Sequence, residues 1–283
     1  MSAGEQAAIV SRRRGALSGW GMAALLSASL PVLLASSGCE RQRQPVIPRA
    51  AFTERTSHRA AVEGRDSTLA RLTWPEFVGA RTPEALDSLR TTVNALLVEP
   101  ADGRGAAASS PIALMDGFIS QWSTQRQATR SRAYWRLDRR IEVLAETLGV
   151  VSLAVSEVLD QGGAHSMSTV RFLNLGADRG NTLRFADLFR EDLLDSLGAA
   201  IEPVFRESRG IAADSSLHNM GFTFGDGRFR VNENVAITAE GVRWHFDPYE
   251  IAPYAWGATD FTAPFELLRP FAKDGGPLAG RGK

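Results

Sequence analysis

Cysteine is almost missing from this chain of 283 residues: Cys39 is the single one. One thiol cannot close an internal disulfide, and it supplies none of the paired sulfurs of a structural zinc site. Histidine is scarce as well. His58, His165, His218 and His245 are scattered without any His-x-x-x-His spacing, so no metal site is read from them and no cofactor is expected. Lysine occurs only at positions 273 and 283, and the 32 basic side chains balance 32 acidic ones. A chain of zero formal charge sets up no field that gathers nucleic acid, and nucleic-acid binding is not expected. Gly-x-Ser-x-Gly, the elbow of many serine hydrolases, is also absent.

What is present begins with one uncharged run. "SRRRGALSGWGMAALLSASLPVLLASSGC" has a basic start at Arg12 to Arg14, an apolar stretch from Gly15 to Leu34, then small residues up to Cys39. This order is that of an export signal. A lone exposed thiol in an oxidising compartment is a liability, and a lipid on the sulfur removes it. The stretch resembles the signal of bacterial lipoproteins, with Ser37, Gly38 and Cys39 matching the cleavage box and Ser36 standing where Leu or Val is usual. The resemblance implies a signal peptide over residues 1–38, lipidation of Cys39, and a protein tethered to a membrane of the bacterial cell envelope. Residues 39–66, rich in Arg, Pro, Ser, Thr and Gln, read as a flexible linker. Residues 273–283 read as a disordered tail.

Between these ends the apolar period changes in a definite order. "STLARLTW" predicts a strand broken at Pro75 and Gly79. Thr82-Pro83-Glu84 opens a helix with Leu86, Leu89, Val93 and Leu96 or Leu97 on one face. Pro111 opens a second helix with Ile112, Met115, Ile119 and Trp122 at helical spacing, a core stripe. From Ala133 the period falls to two, giving strands through Trp135, Leu137, Ile141 and Val143 and then through Val151, Leu153 and Val155. "STVRFLNLG" predicts another strand, with Gly176, Asp178 and Gly180 as its turn. "TLRFADLFREDLLDSLGAAIEPVFRE" predicts an amphipathic helix that Pro203 is placed to kink or split. Asp226-Gly227 and Glu240-Gly241 sit between alternating runs and predict two hairpins, and "FTAPFELLRPF" a strand and a short helix. Helices and hairpins without regular strand-helix-strand alternation make the expected class α+β.

Two stretches stand out, "QGGAHSMSTVRF" (161–172) and "DPYEIAPYAWG" (247–257). With "WPEFVGARTPEALDSLRTTVNALL", "NTLRFADLF" and "EGVRWHFDPYEIAPYAWGATDFTAPFELL", in that order, they resemble the extracytoplasmic region of RsiV-type anti-sigma factors and the accessory domain of PdaC-type peptidoglycan deacetylases, over roughly residues 68–271. The resemblance implies two subdomains. A small two-layer α/β sandwich is expected over 67–158 and a larger antiparallel-sheet domain with packed helices over 159–272. It also implies binding rather than catalysis, since the region is a lysozyme receptor in the first family and an accessory in the second. With about fourteen residues ahead of Gly15 and an end at Lys283, neither a sigma-binding domain nor a deacetylase domain is expected here.

For His165 two readings stay open. In one, Gly162 and Gly163 supply positive φ angles for a tight turn while the imidazole bonds a carbonyl. In the other, Gly162, Gly163 and His165 join Tyr249, Glu250, Tyr254 and Trp256 in a recognition surface, stiffened by Pro248 and Pro253. A lysozyme-like protein or a peptidoglycan fragment is then the expected partner, and the chain is expected to be non-enzymatic. The alternatives are a cell-wall hydrolase or deacetylase using His165 with Ser166, Ser168 and Asp160, and a purely structural envelope protein. His245, between Trp244 and Phe246 on a strand, is expected on the polar surface. Arg126, Arg130, Arg132, Arg136, Arg139 and Arg140 are expected as a solvated face.

Overall fold

The computed structural model describes residues 49–101, 103–129 and 134–280. The expected signal peptide and Cys39, with Arg130 and Arg132, lie outside the described residues. Strands β1 (Ala51–Glu63) and β2 (Asp66–Gly79) pair antiparallel along their length. Helices α1 (Pro83–Val98) and α2 (Pro111–Thr129) follow, then β3 (Tyr134–Thr147), β4 (Val150–Asp160), β5 (Met167–Gly176) and the short β6 (Thr182–Leu183). The six strands form one sheet in chain order, and every neighbouring pair is antiparallel except β2 and β3. A parallel neighbour needs a crossover, and α1 with α2 provides it.

The rest of the chain builds a second layer. Helices α3 (Phe185–Leu188) and α4 (Leu194–Ser208) precede β7 (Val235–Ile237), β8 (Val242–Phe246) and β9 (Thr259–Ala263), an antiparallel three-stranded sheet, and α5 (Phe265–Leu268) follows. The class is α+β, as the sequence predicts. Among the described residues no helix is long and apolar enough to cross a membrane.

Helix α1 starts where the sequence says it should. Thr82 Oγ1 accepts from the Ala85 N–H at 3.0 Å, and Ala85, Leu89, Val93, Leu96 and Leu97 are buried on one face. Leu89, Val93, Leu96 and Leu97 meet Met115, Phe118 and Trp122 of α2 and Ala70, Leu72, Leu137 and Leu153 of the large sheet in one core. A second core gathers Leu197, Ile201 and Phe205 of α4 with Phe222, Phe229, Trp244 and Phe261. Ala154 and Phe172 of the large sheet meet Ala236 of β7 in a small cluster between the two sheets.

Five expectations need correction. Residues 51–63 of the expected linker form β1, which pairs with β2 because its backbone completes the edge of the sheet. The expected boundary at 158 falls inside β4, and β4 and β5 pair across it; the core divides after β5 and not before it. The expected tail is packed: the Lys273 N–H donates to Leu188 O at 2.9 Å and Leu278 is 5% exposed in the second core. Asp226-Gly227 makes a turn, but its flanks are not strands. Phe222, Phe224 and Phe229 instead surround Phe205, at ring distances of 5.2, 6.1 and 4.7 Å. The helix predicted from Thr182 is also broken, into α3, a single 3-10 turn and α4, with Pro203 inside α4.

Gly180 ties the turn after β5 to α1. Its φ is +69°, and a Cβ there would run into Ser88 Cβ. Gly180→Ala is therefore expected to destabilise by about 2 kcal/mol, from left-handed strain plus steric displacement. The denaturant midpoint at constant slope measures it.

Candidate functional site

The β4–β5 hairpin carries the first motif. Its turn is set by the Gly162 N–H donating to Asp160 Oδ1 at 2.9 Å, with Gly162 at φ +77°. Gly163 does not adopt a positive φ, so only one of the two glycines plays the expected part. His165 is exposed, and the contact it makes is a ring stack on Tyr254, with centroids 4.6 Å apart and planes at 22°. The expected carbonyl bond gives way to that stack.

The second motif leaves β8 and folds over the hairpin. Asp247 and Glu250 close a turn on each other: the Glu250 N–H donates to Asp247 O at 3.1 Å, and the Asp247 N–H donates to Glu250 Oε2 at 2.9 Å. Asn232 Nδ2 donates to the other oxygen of Glu250 at 2.7 Å, so this carboxylate anchors the turn. Inside the turn Tyr249 has φ +71° and is 66% exposed. A bulky residue in the left-handed region costs about 1–2 kcal/mol. Its ring lies 5.3 Å from that of Tyr254, whose hydroxyl donates to Ser166 O at 3.4 Å. His165, Tyr254 and Tyr249 thus form one pile of rings, joining motifs that are far apart in sequence. Trp256 packs elsewhere, on Phe222 at 5.4 Å and under the Arg209 guanidinium at 5.5 Å.

Beneath this surface lies a charged cluster that the sequence reading placed in solvent. His245 is 3% exposed, because the polar face of β8 is covered by Phe172 of the large sheet. Its Nδ1 is 3.1 Å from Asp260 Oδ2 and its Nε2 is 3.0 Å from Asp247 Oδ1. Both partners are carboxylates, which accept only, so both ring nitrogens must carry hydrogen. Burial opposes the charge, but the hydrogen bonds to Asp247 and Asp260 outweigh it and raise the imidazole to about 9. For Asp260 burial works upward, and the bonds from His245 and Arg243 prevail and lower it. Arg243 also lies over the Phe172 ring at 5.5 Å. Cross-strand pairing of His245 with Asp260 on β8 and β9 was the available sequence signal; what it lacked was the second sheet that buries it.

The arginine group disperses in the same way. Arg139 is 3% exposed and donates to Leu96 O and Glu99 O, both at 2.8 Å, which satisfies the C-terminal carbonyls of α1. It also binds Glu157, whose carboxyl burial pushes up against the lowering effect of Arg139. Arg126 pairs with Glu63 and Asp66, and Arg140 with Glu54 and Glu142. Among the described residues no group of three or more His, Cys, Asp or Glu is placed to hold a metal.

Two hollows border these elements. One of about 470 Å³ lies between α4 and the 227–233 loop, where Arg230 pairs with Asp195 and Asp226 and Arg206 with Glu202. The other, about 350 Å³, runs over β4 and β5 from the 99–103 loop to Met167 and to Asp247, the residue that opens the turn bearing Tyr249.

Residues 186–266 match the family DUF3298, a protein family of unknown function. A crystal structure of a DUF3298 family member from Bacteroides fragilis NCTC 9343 superposes with a TM-score of 0.66 at 16% identity, covering 79% of this chain and 94% of that one. A DUF3298 family protein from Pseudomonas aeruginosa PAO1 gives 0.60 at 19% identity, covering 84% and 99%. The fold is shared with solved DUF3298 proteins. Comparison with curated protein sequences finds no match. The family match takes in α4, the His245 cluster and the whole Tyr249–Trp256 segment but stops short of the His165 hairpin.

The cluster and the strained tyrosine each predict a measurable stability change. His245 is raised from 6.5 to about 9 in the folded state. Its contribution, on the order of 2 kcal/mol after discounting for the half-open carboxylates, is complete below pH 6.5 and lost as pH rises through about 9. His245→Gln should flatten that decline in denaturation curves taken across the interval. Tyr249→Asn, which suits a left-handed backbone, should leave the melting temperature unchanged or higher, whereas Tyr254→Ala should lower it.

Proposed function

We propose that the chain is a non-enzymatic recognition module of the bacterial cell envelope, tethered through Cys39, that binds a cell-wall ligand with the surface shared by the His165 hairpin and the 249–256 segment. The observation that carries this reading is the pile of His165, Tyr254 and Tyr249. Its outer rings, His165 and Tyr249, are exposed, it is held by a turn of paired hydrogen bonds, and it includes a residue strained for no gain in core packing. Rigid aromatic area presented at low entropic cost is the usual anchor of a binding surface. The resemblance to lysozyme receptors and to an accessory of peptidoglycan deacetylases supports a lysozyme-like protein or peptidoglycan as ligand. His245 offers no support for catalysis, since both of its nitrogens are engaged by carboxylates and no lone pair is left to take a proton.

The test uses the full-length protein in detergent, titrated against lysozyme and against solubilised peptidoglycan. One of the two should bind, and Tyr254→Ala should weaken the complex by about 2 kcal/mol, roughly thirtyfold. Absence of binding to both at high micromolar concentration, or an unchanged affinity in folded Tyr254→Ala and His165→Ala proteins, refutes the reading.

A further inference from the structure

We propose that the groove over β4 and β5, with the ring of Tyr249 at its end, is a site for an uncharged pyranose oligosaccharide. This rests on the recognition reading above and names the ligand class for that surface.

The groove, about 350 Å³, is of a size that holds a small ligand. Val155 and Leu159 give it apolar floor, while Thr169 and the carboxylates of Glu157 and Asp247 stand along it. A pyranose ring has the matching chemistry. Its C–H faces lie on apolar or aromatic surface, and its hydroxyls donate to carboxylates at the rim. Asp247 Oδ1 already accepts from His245 and from the Val170 N–H, whereas its Oδ2 makes no bond with any described residue. That oxygen is left as an acceptor.

Charge decides which sugars fit. Each carboxylate of the groove has its own cation: Glu157 has Arg139, Asp247 has His245, and Glu99 has Arg171. The lining offers strong acceptors and no excess of either sign. An acidic polysaccharide would have to displace a carboxylate from its cation, and a cationic one would have to displace a cation from its carboxylate. The neutral ligand meets neither obstacle.

Tyr249 stands two residues from Asp247, and Met167, at the groove edge, follows the Ser166 carbonyl that receives the Tyr254 hydroxyl. One face of Tyr249 is turned toward the pile and the ring is 66% exposed, so a sugar leaving the groove finds a fixed plane to lie on.

Calorimetric titration of the full-length protein in detergent with chitotetraose and maltotetraose, beside tetragalacturonate and the deacetylated chitosan tetramer, tests the proposal. At least one neutral tetramer should bind and both charged ones should be weaker. Tyr249→Asn, which keeps the turn and removes the ring, and Thr169→Leu, which fills the groove, should each weaken binding on the order of tenfold. The proposal is overturned if neither neutral tetramer binds at about 10 mM, if a charged tetramer binds as well, or if both variants bind as the wild type does. Lysozyme binding that persists without oligosaccharide binding sinks this proposal and spares the recognition reading. Loss of all binding sinks both.

Discussion

The free edge of β5 is the constraint around which the two layers are arranged. Strand β6 covers that edge only at Asn174 and Leu175. Farther along, side chains take the place of a strand: Asn234 accepts from the Phe172 N–H at 2.8 Å and donates to Val170 O at 2.6 Å, and Asp247 accepts from the Val170 N–H at 2.9 Å. The bond is returned from the other side. Asn174 donates to Val235 O at 2.8 Å and accepts from the Ile237 N–H at 3.1 Å and from Ser152 Oγ at 2.7 Å. Unpaired backbone groups at a buried edge would cost about 1–3 kcal/mol each, so these exchanges fix where the small sheet can sit. The open strand is both hidden and used.

Charges inside the molecule follow the same logic of filling vacancies in the backbone. Arg139 lies within the large sheet because α1 ends over it with carbonyls that need donors, and Glu157 then balances the charge. His245 lies between the sheets because Asp247 and Asp260 flank it, one from the turn that follows β8 and one from β9. Removing one member of either set would strand the others in a site of low dielectric, which is why such sets act as units.

This explains what the sequence made legible and what it did not. α1, α2 and the strands β2 to β5 follow from apolar period and from caps such as Thr82, which are local properties. β1 was hidden because its residues are mostly polar and exposed and its order comes from pairing with β2 and from ion pairs with residues distant in the chain. Leu278 in the expected tail was hidden for a similar reason, a single apolar contact among glycines. His245 was misplaced because alternation tells which side of a strand a residue faces, and not whether another sheet covers that side. The aromatic half of the candidate surface was legible from its composition. Its geometry was not, since the stack of His165 on Tyr254 depends on a contact across 89 positions in the chain.

Asp247 is where these threads meet. Its Oδ1 holds the edge of β5 and the imidazolium of β8, and its backbone carbonyl and N–H open and close the turn that strains Tyr249. The hairpin bearing His165 grows from β5, and the segment bearing Tyr249 and Tyr254 grows from β8, so one carboxylate sets the distance between the two halves of the exposed pile. A surface on separate loops would lose most of its precision to loop motion. Here the loops begin at a point tied to both sheets, and the strain at Tyr249 persists because the Glu250 and Asn232 bonds leave the turn no relaxed alternative. The rigidity of the candidate surface is thus a consequence of how the two layers are locked, and its strength can be no greater than that of the lock.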